Sequence, residues 1–114
     1  MKYRYELWQM TPGDENRHLR FVGLEDLLDK FGYVPDKNEY DLVWEDEIED
    51  MYRIRAAVPI LNELFDIFNL SHPEGYKGRS MSTGDVIILV DETGQRSVHF
   101  CNTFGWRELD PEKW

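Results

Sequence analysis

Residues 85–90 read DVIILV, one of the most apolar stretches in the chain. The run has no polar alternation, is rich in β-branched residues and is too short for a buried helix. Its reading is therefore a central β-strand covered on both faces. Downstream, Glu92-Thr93-Gly94-Gln95 has the composition of a hairpin connection, and Arg96 to Thr103 reads as the returning strand. Phe104-Gly105-Trp106-Arg107-Glu108-Leu109 then bends into a last short strand or edge segment.

Upstream stands a polar loop, HPEGYKGRSMSTG, residues 72–84. Its glycines, cations and hydroxyls have the chemistry of a phosphate cradle. Phosphate loops with strong signatures, however, follow a strand and open a helix, whereas this loop leaves a helical pattern and enters a strand. The expectation is a structural hinge. Asn69 caps the preceding helix, Pro73 forces His72 out of the helical region, Gly75 and Gly78 reverse the backbone, and Ser82-Thr83-Gly84-Asp85 forms a tight turn. The alternative is a small-ligand or enzymatic module built on His72, Arg79, Ser82 and Asp85. A metal held by His72, Glu74 and Asp85 is conceivable on residue type, but His18, His72 and His99 show no zinc spacing. Neither a cofactor nor a metal is expected.

The other elements follow from periodicity. Residues 2–10 alternate, with Tyr3, Tyr5 and Leu7 on one face and Arg4, Glu6 and Trp8 on the other, predicting a first strand. Residues 11–16 read as a turn, and 18–22 as a segment pairing back onto that strand. Leu24, Leu27, Leu28 and Phe31 at i, i+3, i+4 and i+7 predict a short amphipathic helix stopped by Gly32. Tyr40, Leu42 and Trp44 alternate as a second strand. Pro59 suits the first turn of a second helix, built on Leu61, Leu64, Phe65 and Phe68. Residues 46–58 read as either helix or loop. The fold class is α+β, a four- to five-stranded, mostly antiparallel sheet with both helices on one face.

Composition bounds the function. With 114 residues, 41% of them hydrophobic, the chain suits one domain, residues 1–114. A net charge of −10 disfavours direct contact with nucleic-acid phosphates. The single cysteine, Cys101, suits a reducing compartment, and neither a signal-peptide core nor a membrane-length apolar run is read, so a cytoplasmic protein is expected. His99 and Cys101 share a strand face, but their Cα atoms stand about 6.6 Å apart, so ordinary burial of Cys101 is the reading rather than a dyad.

The stretch from LNELFDIFNLSHPEGYKGRSMSTGDVIIL (61–89) to VHFCNTFGWREL (98–109), together with YELWQM, RHLRF and YDLVW earlier in the chain, resembles the YodL-like domain. The resemblance implies a Firmicutes protein associated with mobile elements and supplies no enzymatic mechanism. Residues 45–58 depart from the pattern. Within them EDEIED (45–50) holds five carboxylates in six positions.

Such a run is ordinarily a solvated face, but it also presents a field that a basic partner would accept. The expected function is therefore a non-enzymatic protein-binding accessory factor, monomeric or weakly dimeric. Its contact residues are Glu45, Asp46, Glu47, Glu49, Asp50, Tyr76, Lys77, Arg79 and Trp114. Trp8, Trp44 and Trp106 are assigned to the core and Trp114 to the surface. The rival reading is an acidic decoy of a nucleic-acid-binding protein, of antirestriction or anti-CRISPR type.

Overall fold

A computed structural model describes residues 2–11, 14–49 and 57–114. Five strands, β1 (Lys2–Met10), β2 (Tyr40–Glu49), β3 (Val86–Val90), β4 (Arg96–Cys101) and β5 (Trp106–Leu109), form one antiparallel sheet in the order β2-β1-β3-β4-β5. Two α-helices, α1 (Leu24–Lys30) and α2 (Ala57–Leu70), complete the α+β fold.

The DVIILV segment is the middle strand. Val86, Ile87, Ile88 and Leu89 are all essentially without solvent contact, as a strand covered on both faces requires. Alternation then divides the core in two. Ile87 and Leu89 join Tyr5 and Leu7 under Ile60, Leu61, Leu64 and Phe68 of α2. Val86 and Ile88 join Met10, Tyr40, Val98 and Phe100 under Leu27 of α1, with Leu19 and Trp114 completing that layer.

The helices therefore lie on opposite faces, which corrects their expected placement on one. An amphipathic stripe shows that a helix has a buried side, not which side of a sheet will bury it. Of the α1 stripe only Leu27 is fully buried, and Leu28 and Phe31 stay about half exposed.

What fixes α1 is a bond from elsewhere. Gly23 at its N-cap offers no side chain, and the Leu24 amide donates instead to Asn102 Oδ1 at 2.9 Å. A Cβ on Gly23 would stand 2.9 Å from Thr103 Oγ1, so glycine lets the helix start reach the end of β4. At the other end Gly32 takes φ +59°, and the Tyr33 amide returns to the Leu27 carbonyl at 2.8 Å.

Three further readings change. Residues 18–22 do not pair with β1; the chain forms a 3-10 helix over Asp14–Leu19 and then a turn. Residues 46–49 belong to β2 and 57–58 to α2, while 50–56, including Met51 and Ile54, lie outside the described residues. Trp114, expected at the surface, is 7% exposed, edge-on to Tyr40 with ring centroids 4.9 Å apart. Its main-chain oxygen accepts from Arg96 Nη2 at 2.8 Å and Lys37 Nζ at 3.2 Å.

Removing a fully buried side chain leaves a cavity that the packing closes only in part. Leu64→Ala should cost about 2–5 kcal/mol and Trp114→Ala about 3–5 kcal/mol, whereas Leu70→Ala, at an 82% exposed position, should stay within about 0.5 kcal/mol. Urea unfolding of the three variants measures the contrast, and a Trp114→Ala protein as stable as the parent would contradict the second core layer.

Candidate functional site

The 72–84 loop behaves as the hinge its glycines predict. Asn69 Nδ2 donates to the Phe65 carbonyl at 2.8 Å in the last turn of α2. Gly75 takes φ +85° and Gly84 φ +99°, conformations that favour glycine. At Gly78 a Cβ would collide with the Tyr76 ring. Tyr76 lies between Phe68, Trp44 and His72, and its hydroxyl donates to the Arg79 carbonyl at 2.6 Å.

The loop closes on Asp85, the residue that opens the central strand. Asp85 is fully buried, and its Oδ2 accepts from the Ser82 amide at 3.0 Å and Gln9 Nε2 at 3.2 Å. Arg79 Nη2 stands 2.9 Å from Asp85 Oδ1. The pair is an ionic contact without hydrogen-bond alignment, so Oδ1 and the Arg79 Nε and Nη1 atoms have no hydrogen-bond partner. Gln9 also ties the loop to β1, donating to the Arg79 carbonyl at 2.8 Å and accepting from the Arg79 amide at 3.2 Å.

Desolvation pushes the Asp85 pKa up to about 6 from 3.8, against the opposing pull of Arg79, the Ser82 amide and Gln9. Above this cluster Phe21 takes φ +66°, and the Arg20 and Arg79 guanidinium centres each lie 5.2 Å from its ring centroid.

Of the alternative ligand set, Arg79, Ser82 and Asp85 do converge, but upon each other. His72 is exposed and directed elsewhere, its ring 5.1 Å from Tyr76 and its Nε2 3.4 Å from Ser80 Oγ. Among the described residues no group of three His, Cys, Asp or Glu side chains is gathered for a metal.

The nine residues assigned to partner contact separate. Tyr76 is half-buried, Arg79 is engaged with Asp85, and Trp114 is a core residue; Asp50 lies outside the described residues. Lys77 is exposed, and so are Glu45, Asp46, Glu47 and Glu49. These four acids occupy β2, an edge strand. Glu45, Glu47 and Glu49 stand opposite Glu6, Arg4 and Lys2 of β1, and Asp46 projects from the other face opposite Tyr5. Lys2 Nζ reaches Glu47 Oε2 at 2.9 Å.

The structure also brings together residues the sequence reading left apart. Asn102 bridges the start of α1 to Glu25, whose carboxylate additionally accepts from Arg107 Nε at 2.9 Å. Hydrogen bonding to Asn102, first among the causes, holds the Glu25 pKa down at about 2. His99 leans away from Cys101 and contacts Ser97 Oγ at 2.8 Å through Nε2. Burial pushes the Cys101 thiol up to about 12, which disfavours the reactive thiolate. Ser97 and His99 carry no spacing motif, so only their place on one strand hinted at contact.

A family model described as YodL-like domain matches residues 4–111. No curated protein and no solved structure matches the chain.

Because its folded pKa lies above its unfolded value, Asp85 disfavours the folded state above pH 6, on the order of 3 kcal/mol, and that penalty is relieved as pH falls from 6 towards 4. Arg79→Met removes the charge partner and should cost about 3–5 kcal/mol at pH 7. The loss should shrink at pH 5, where the carboxyl protonates, and Asp85→Asn in the same chain should recover most of it. Urea unfolding at the two pH values decides: an equal loss at both would show that Arg79 does not offset a buried charge.

Proposed function

The chain belongs to the YodL-like domain family, and we propose that it acts as a protein-binding accessory domain whose acidic edge strand engages a basic protein surface. The observation that carries this reading is the exposure of Glu45, Asp46, Glu47 and Glu49 together on β2, where Lys2 and Arg4 offset only part of their charge. Side chains two apart on a strand stand about 6.6–6.8 Å from one another on one face. The three glutamates are thus a regular row of negative charge. Such a row attracts a cationic partner over a Debye length of about 8–10 Å at ordinary salt and steers its approach.

The same charges repel a second copy of the strand, which supports a monomer over edge-to-edge assembly. They also repel nucleic acid, so the partner is protein. No described helix is long and apolar enough to cross a membrane. The buried, free Cys101 favours a cytoplasmic setting, and the family resemblance favours a Firmicutes host carrying a mobile element. The role is one of binding, with no reaction assigned to the 72–84 loop, whose Arg79 is engaged with the buried Asp85.

A second reading stays open on the same row of carboxylates. Spaced along one strand, they imitate a nucleic-acid backbone, as a decoy for a DNA- or RNA-binding cleft would.

An octalysine peptide serves as the basic probe. Glu45→Gln, Asp46→Asn, Glu47→Gln and Glu49→Gln combined should weaken its binding roughly tenfold or more, since exposed charge pairs are worth about 0.2–1 kcal/mol each. Binding by the parent should fall steadily as salt is raised from low to physiological concentration. Calorimetry measures both, with circular dichroism verifying the fold. Binding that ignores salt and the four substitutions would overturn the acidic-strand reading.

A further inference from the structure

On the α2 side of the sheet, near Ala57 at the start of the helix, β4 and β5 set out a group of polar side chains that the binding role does not use. Ser97 and His99 are two apart on β4, and Glu108 of β5 pairs with His99 across the ladder. His99 is 3% exposed and its Nε2 meets Ser97 Oγ at 2.8 Å, within the range of a nucleophile and its base. Ser97 itself is half-buried. It lines a concavity of about 260 Å³ together with Tyr3, Ala57, Leu89, Gln95 and Glu108. Ser97, Gln95 and Glu108 also line a second concavity, of about 220 Å³.

The other serine–histidine contact, Ser80 with His72, provides an internal contrast. It is 3.4 Å long and both residues are exposed. Burial lowers the His99 pKa below its ordinary 6.5 while Glu108 acts in the opposite direction, which favours the neutral ring that a general base needs.

We propose that Ser97 and His99 form a nucleophile–base pair that cleaves small, uncharged acyl esters, the acyl group entering the 260 Å³ concavity and the alcohol portion the adjoining one. Both concavities are smaller than the roughly 300–1,000 Å³ of sites for drug-sized ligands, which limits the substrate to a short chain. Asp91 and Glu108 at the first concavity reject anionic esters.

Ser97 Oγ bonds to the carbonyl carbon as its proton passes to His99 Nε2, and the carbonyl electron pair moves to oxygen. Gln95, which lines both concavities, is the nearest side-chain amide available to that developing charge among their lining residues. The electron pair returns, the ester C–O bond breaks, and the departing alkoxide takes the proton from His99. Water then attacks acyl-Ser97, giving up its proton through His99 to Ser97 Oγ as the acyl bond breaks and the carboxylic acid leaves. Glu108 is a positioning residue: it stands opposite His99 on the ladder, and its charge favours the protonated ring that forms as the serine gives up its proton.

The test uses p-nitrophenyl acetate and a neutral alkyl fluorophosphonate on the full chain. The expected result is release of nitrophenol and a single fluorophosphonate adduct mapped to Ser97 by mass spectrometry. The adduct should be lost in Ser97→Ala, slowed by about 10²-fold or more in His99→Gln, and unchanged in Ser80→Ala. Glu108→Gln should move the midpoint of the labelling-rate profile to lower pH, and Glu108→Asp should restore it, which a purely structural carboxylate would not do.

His99 is a core residue, so circular dichroism accompanies each variant, and the parent protein's own adduct stands as a measurement independent of their folding. A parent protein that takes no label in hours at millimolar reagent, or takes it at Tyr, Lys or Cys101, overturns the proposal. So does a folded Ser97→Ala or His99→Gln protein that reacts at the parent rate.

Discussion

A carboxylate without solvent contact opens the central strand, and much of the neighbouring architecture answers to it. Moving an unpaired carboxylate out of water is prohibitively costly, so Asp85 must be surrounded by donors or lose its charge. Two donors, the Ser82 amide in its own turn and the Gln9 amide on β1, and one counter-charge, the Arg79 guanidinium from the loop, meet that need. Satisfying one side chain thereby joins β1, the hinge and β3. The glycines of the loop are a consequence, since the backbone must turn sharply at Gly84, φ +99°, to aim both Ser82 and Asp85 at each other. Arg79 and the Ser82 amide, whose loop suggests a ligand site from composition, here hold the start of a strand.

The second constraint is desolvation of β3 on both faces. A five-stranded sheet with a fully apolar middle strand needs a cover on each side, and a chain of this length has few elements to supply them. Helix α2, with four buried residues, supplies most of the cover on one face, joined there by Met81 and Tyr76 of the loop that follows it. Helix α1 has seven residues and one fully buried, too little for the other face, so Leu19, Tyr40 and Trp114 share the task. This explains why the last tryptophan is interior and why Arg96 and Lys37 both hold its main-chain oxygen.

On the edge strand, protection of the fold and the proposed binding role make the same demand. Open strand edges invite pairing with other chains, and exposed charges suppress that. The acids of β2 meet this requirement, and the same placement leaves them facing solvent, as the proposed contact with a cationic partner needs. The proposed chemistry at Ser97 lies on β4 and β5, away from that edge, so each role can be altered without the other.

The sequence alone determined what depends on local periodicity. The DVIILV run needs no partner to be read as a doubly covered strand, the i, i+3, i+4, i+7 stripes define both helices, and the positions of Gly32, Gly75 and Gly84 follow from backbone sterics. These readings hold because a run of β-branched residues or a glycine carries its preference in its own covalent structure. The family resemblance was likewise legible, being carried by contiguous motifs. Only the tertiary structure decided which face each helix covers, because Leu27 would be equally apolar against either. It also decided the interior place of Trp114, the capping of α1 by Asn102, and the meetings of Gln9 with Asp85 and His99 with Ser97. The Trp114, Asn102 and Gln9 contacts join residues 74–78 positions apart in the chain, a separation no local pattern spans. The meeting of His99 with Ser97 depends on which way a ring leans within its strand, and the packing around it, not the spacing, sets that.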